Sequence, residues 1–226
     1  MKQLFHKDMI ICCLLYAVIT AVQFSLYSSL ATSPSDFYFL PEFCYEHDVS
    51  VILLYVILWL LERLLIGYLN HLGNERFLRE RAIYRIVRGQ KASAIQMYLL
   101  KQNLKENLVL TVIRSAGTLL LGKYELLAIL PAVLGYFGEV TLLSQLLLNI
   151  YLLLNSQIAF PVYAIVLLSS VVLFQKAVYS FFINAHHLKC EAFILFVSRP
   201  GFIASAVITA ALVMLTEWVL LKRRDY

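Results

Sequence analysis

The sequence predicts an all-α, polytopic membrane protein of about six transmembrane helices, and three observations carry the prediction. The chain is 61% hydrophobic and 15% charged, against roughly 45–50% apolar and 25% charged residues in a soluble domain. Its apolar residues gather into runs long enough to cross a hydrocarbon core, with short polar connections between them. The charges on those connections are acidic after the first run and strongly basic after the second, the asymmetry that orients a membrane protein. One membrane domain, 1–226, follows, with no separate soluble domain.

The first span covers residues 9–30 and is interrupted by Thr20, Gln23 and Ser25. It is longer than the apolar part of a secretory signal and is expected to stay in the membrane. Residues 32–48 hold Asp36, Glu42, Glu46 and Asp48 with no Lys or Arg, so this segment is expected outside. The second span, 51–69, carries Glu62 and Arg63 toward its end. Residues 70–106 then hold Arg76, Arg79, Arg81, Arg85, Arg88, Lys91, Lys101 and Lys105, which places the segment in the cytoplasm together with both termini.

Within the basic segment Arg81, Arg85 and Arg88 share one helical face by their spacing, and Ile83, Ile86 and Val87 project from the other. This is a short amphipathic cytoplasmic helix between spans two and three, ended by Gly89. Ser93-Ala94-Ile95-Gln96 has the spacing of a capping box and opens the third span, 94–121, with Arg114 inside the bilayer. Gly122-Lys123-Tyr124-Glu125 marks a turn. Pro131, Gly135, Gly138 and Glu139 predict a short or kinked entry before a fourth span at 140–154. The fifth span is 158–182 and the sixth 202–221, closed by Lys222-Arg223-Arg224 inside. Between them the apolar run 193–197 is too short to cross and is expected as a re-entrant piece on the outside.

Charged and amide side chains inside spans are the candidate functional residues, because hydrocarbon penalises them unless a path or partner holds them. Arg114, Glu139, Gln145 and Asn149 are therefore the candidates for a translocation path, the last two lying one turn apart on one face as interhelical hydrogen-bonding residues do. No metal site is expected: His186 and His187 are adjacent and point about 100° apart on a helix, and the four cysteines show no ligand spacing. The net charge of +5 serves orientation and lipid headgroups, not nucleic acid.

The start Leu4-Phe5-His6-Lys7-Asp8, the early pair of spans, and Arg88-Gly89-Gln90-Lys91-Ala92-Ser93 leading to Lys101 resemble the small ABC-2-type transporter permeases. The outside re-entrant piece and the Lys-Arg-Arg-Asp ending resemble them too. The proline frequent in the family's coupling segment is missing here. The resemblance implies a membrane subunit without chemistry or cofactor of its own, with ATP bound by a separate ABC subunit and with a second permease as homo- or heterodimer partner. It implies that Arg81, Ile83, Arg85, Ile86, Val87, Arg88 and Gly89 dock on the ATPase, and that an amphipathic peptide or lipid-like substrate is moved across a cell membrane, as in peptide export and bacteriocin immunity. A non-transporting scaffold or immunity protein is the alternative. Glu75-x-x-x-Arg79 and Phe182-x-x-x-His186 resemble motifs of intramembrane CAAX-type metalloproteases, but Asn74 replaces the paired glutamate and no later histidine supplies a third ligand, so no enzyme is expected.

Overall fold

The computed structural model describes residues 2–27, 37–38, 49–78, 92–121, 124–154, 157–169 and 200–223. Among them every regular element is helical. The helices are α1 (Lys2–Tyr27), α2 (Val49–Phe77), α3 (Ala92–Leu121), α4 (Leu126–Leu153), α5 (Gln157–Ser169) and α6 (Pro200–Arg223). Such elements satisfy their backbone hydrogen bonds internally, as a chain with this much apolar sequence requires.

Three local expectations change. The entry expected before residue 140 is not a separate piece: it joins the fourth span in one continuous α4 that contains Pro131. Pro131 is the sixth residue of the helix, so it forgoes one backbone hydrogen bond near the start of α4, and its ring lies on an exposed position. The capping box does not form: α3 already includes Ala92 and Ser93, and the Gln96 amide donates instead to the Met214 carbonyl at 2.6 Å. Glu62 and Arg63 do not sit near a helix end, because α2 continues past Leu69 to Phe77.

The chain forms two compact units, Met1–Leu69 with Asn107–Val140, and Asn70–Glu106 with Thr141–Tyr226. In the first, Cys12, Tyr16, Phe24, Ile66, Leu110, Tyr136 and Val140 form a core with Phe37 and Tyr38. The last two belong to the segment expected outside as a polar loop, yet both are buried. Phe37 stacks on Phe24 at 4.6 Å, and Tyr38 meets Tyr136 edge-on at 5.6 Å. Gly117 makes room for this stack, since a Cβ there would stand 2.9 Å from Cε2 of Phe24. In the second unit, Phe77, Leu78, Ile95, Leu99, Leu148, Leu152, Ala159 and Leu221 form the core, and Phe77 stacks on Tyr98 at 4.2 Å.

The polarity of the helices is inverted relative to a soluble bundle. On α1 the exposed positions are Ile10, Ile11, Leu14, Leu15, Val18 and Val22, whereas Tyr16, Thr20 and Gln23 are buried. On α3 Leu108, Val109 and Val112 are exposed while Asn103, Asn107 and Arg114 are buried. By length and composition two helical stretches, Val56–Phe77 and Leu127–Leu153, can cross a membrane.

Candidate functional site

The polar side chains buried in the first unit converge on α2. Glu62 and Arg63 are consecutive, so on a helix they point about 100° apart and face different neighbours. Glu62 meets α1 and α3, and Arg63 meets α4. Tyr16 and Gln23 come from one face of α1 by their i, i+7 spacing, and Tyr136 and Glu139 from one face of α4 by i, i+3. Arg114 comes from α3, and the backbone carbonyls of Phe37 and Tyr38 complete the ring of partners.

Glu62 is the hub. Its Oε1 accepts from Tyr136 Oη, lies 2.8 Å from Arg114 Nη1 and accepts from Arg63 Nη1 at 3.1 Å. Its Oε2 accepts from Gln23 Nε2 at 3.2 Å. Tyr16 Oη lies 2.6 Å from Tyr136 Oη and 3.3 Å from Glu62 Oε1. Each hydroxyl has one proton, so the two short contacts fix the direction: Tyr136 donates to the carboxylate and Tyr16 donates to Tyr136.

Arg63 grips Glu139 with two parallel bonds, Nε to Oε1 at 3.1 Å and Nη2 to Oε2 at 2.9 Å, and donates to the Tyr38 carbonyl at 2.9 Å. Such bidentate pairing adds geometric specificity to charge. Arg114 donates from Nε to the Phe37 carbonyl at 2.6 Å and from Nη1 to Gln23 Oε1 at 2.8 Å. The Tyr136 ring lies against both cations, 4.7 Å from Arg63 Cζ and 5.3 Å from Arg114 Cζ. Its π face thus meets two like charges that would otherwise repel across apolar space.

Two guanidinium groups and two carboxylates leave the cluster with no net charge. Glu62, Arg63 and Arg114 are almost wholly buried, and only Glu139 is partly accessible. This arrangement holds four helices in register, and each charge in it is met by an opposite one. Removing any member would leave a buried charge behind, which low-dielectric surroundings penalise severely.

Of the residues expected to form a path, Arg114 and Glu139 belong to this network, paired with Glu62 and Arg63 and not with each other. Gln145 and Asn149 belong to the second unit, where Asn149 Nδ2 donates to Val213 O at 3.0 Å and Thr216 Oγ1 at 2.9 Å. Arg81, Ile83, Arg85, Ile86, Val87, Arg88 and Gly89, the re-entrant piece 193–197 and the pair His186 and His187 lie outside the described residues. Sequence reasoning missed the hub itself: an adjacent acid and base within an apolar run was the available clue. Tyr16, Gln23 and Tyr136 carry no comparable clue, since only tertiary packing brings them to Glu62. Compared with known proteins, the chain matches no family model, no curated protein and no solved structure.

Proposed function

We propose that this chain is the membrane-spanning permease subunit of a transporter powered by a separate ATP-binding subunit, with an amphipathic peptide or lipid-like molecule as substrate. One observation carries the reading: a charge-neutral network of Glu62, Arg63, Arg114 and Glu139 buried in a bundle whose outward faces are apolar. Ionisable side chains are kept inside a membrane where a path, a relay or a moving element needs them. In this reading the chain lies multi-pass in the cell membrane with both termini in the cytoplasm, and a second permease completes the pathway.

The placement of the network suits force transmission. α2 and α3 flank the basic segment that holds Ile83 to Lys91, and Glu62 on α2 pairs with Arg114 on α3. A push on that segment by a closing ATPase dimer would reach both helices, and the ion pair makes them move together. Arg63 and Glu139 extend the same tie to α4. Transport by rigid-body rocking needs such stiff elements.

Co-purification of the tagged chain in mild detergent tests the reading. An ATP-binding subunit in the complex supports it, and Ile86→Ser with Val87→Ser should release that subunit while the permease stays inserted. A chain that purifies alone from cells expressing its neighbours ends the permease reading and leaves the non-transporting scaffold.

A further inference from the structure

The second unit holds a carboxyl group that the charge network does not use. Glu217 on α6 has no exposed surface, and among the described residues neither carboxylate oxygen has a partner in good hydrogen-bond geometry. Its polar neighbour is Gln96 of α3, whose Nε2 is already engaged with the Met214 carbonyl at 2.6 Å. On α4, Asn149 bonds through Nδ2 to Val213 O and Thr216 Oγ1, the residues one turn before and next to Glu217. Asn149 Oδ1 is left without a partner, as are both amide atoms of Gln145 one turn away on the same face. The core of this unit is otherwise largely apolar, with Ile95, Leu99, Leu148, Leu152 and Leu221 beside the aromatic rings of Phe77 and Tyr151.

No cation among the described residues compensates this carboxylate. On α6, Lys222 is exposed and lies over the Trp218 ring at 5.2 Å. On α3, Lys101 is exposed, Tyr98 stacks on Phe77, and Glu106 accepts from Gln102 at 3.1 Å. On α4, Tyr151 meets His71 edge-on at 5.4 Å, and His71 lies 3.8 Å from Glu75. The first unit differs: there Glu62 and Glu139 each meet an arginine, and among the described residues Glu217 meets none.

We propose that Glu217 is the centre of a monovalent-cation site, with the side-chain oxygen of Asn149 as a neutral co-ligand. A lone buried carboxylate is unfavourable in apolar surroundings, and one bound positive charge removes the imbalance. One carboxylate matches a single positive charge, so a divalent ion would leave an excess. Oxygen donors suit a proton or an alkali cation such as Na⁺, which share this chemistry. Cation occupancy would then set how tightly α3, α4 and α6 close around Glu217, and nothing in the site requires an ATPase.

Dicyclohexylcarbodiimide reads the site directly, because it adds to a protonated carboxyl in apolar surroundings to give a stable N-acylurea. The full-length chain, purified in detergent, is labelled across a pH series in NaCl or in choline chloride, and the adduct is located by peptide mass spectrometry. Glu217 should be labelled and exposed Glu125 should not. The adduct should decline roughly tenfold per pH unit once the acid ionises and be absent in Glu217→Gln. Protection by Na⁺ relative to choline identifies an alkali-cation site, and equal labelling in both salts identifies a proton site. Absence of adduct on Glu217 throughout the series, or labelling no stronger than on Glu125, overturns the proposal. Co-purification of an ATPase decides the transporter reading separately, so the two failures are distinguishable.

Discussion

Replacing Glu62 by Gln keeps the size of the side chain and removes one charge, which leaves Arg63 and Arg114 facing Glu139 alone. The amide offers one acceptor oxygen where the carboxylate received Tyr136, Arg114, Arg63 and Gln23. With both Glu62 and its arginine partners almost wholly buried, the loss is that of one member of a buried pair, roughly 3–5 kcal/mol. Arg114→Gln has the opposite sign of charge error and also orphans the Phe37 carbonyl, held at 2.6 Å, so it should cost at least as much. The double variant restores neutrality, since Arg63 and Glu139 still match. Its destabilisation should fall short of the sum of the singles by about 0.5–3 kcal/mol, the usual range for coupled neighbours. Reversible unfolding in mixed detergent and dodecyl sulfate micelles measures all four corners of the cycle. Strict additivity, or singles that cost under about 1 kcal/mol as surface pairs do, would refute the claim that charge balance organises the first unit.

Other outcomes follow from the same contacts. Tyr136→Phe removes the hydroxyl between Tyr16 and Glu62; the same unfolding assay should show a loss near the lower end of the roughly 1.5–3 kcal/mol of a hydrogen bond to a charged group, because Tyr16 Oη at 3.3 Å can turn to the carboxylate. Gly117→Ala drives a Cβ against the Phe24 ring at 2.9 Å, and the stacked Phe37 keeps that ring from yielding, so a loss of about 1–3 kcal/mol is expected. Gly138→Ala meets nothing within 4 Å and should stabilise the helix by about 0.5–1 kcal/mol; a loss of similar size would show that the surface there is covered. Single cysteines at Ser35 and Asn184 should react with an impermeant thiol reagent in intact cells and one at Lys91 should not, a pattern whose reversal sinks the orientation.

The helical character was legible in composition and in the spacing of apolar runs, because both are local properties. Arg114 and Glu139 were legible as buried charges for the same reason: each interrupts an apolar run. Their partners were harder to read. Glu62 and Arg63 looked like charges at the end of a span ending at Leu69, and only the continuation of α2 to Phe77 makes them interior. Phe37 and Tyr38 lie between acidic residues in a segment with two prolines, a composition that points outward. Their burial follows from aromatic packing on Phe24 and Tyr136 and from two arginines that need backbone acceptors. Glu217 lies in the last apolar run, and sequence spacing does not reveal whether such a carboxyl meets an arginine or only amides.

The adjacency of Glu62 and Arg63 has a bearing on how the chain is built. A charged residue at the centre of a helix entering the bilayer costs about 2.5–3.5 kcal/mol on insertion scales. In the multi-pass reading proposed above, α2 precedes α3 and α4 in the chain and would enter before Arg114 and Glu139 exist. The 3.1 Å contact between Arg63 Nη1 and Glu62 Oε1 lets neighbouring residues neutralise each other during that interval. On that reading Arg114 of α3 would meet a carboxylate already in place, and Glu139 of α4 would meet the arginine. Order of synthesis and order of pairing would then coincide, with each late helix drawn in by a charge laid down before it.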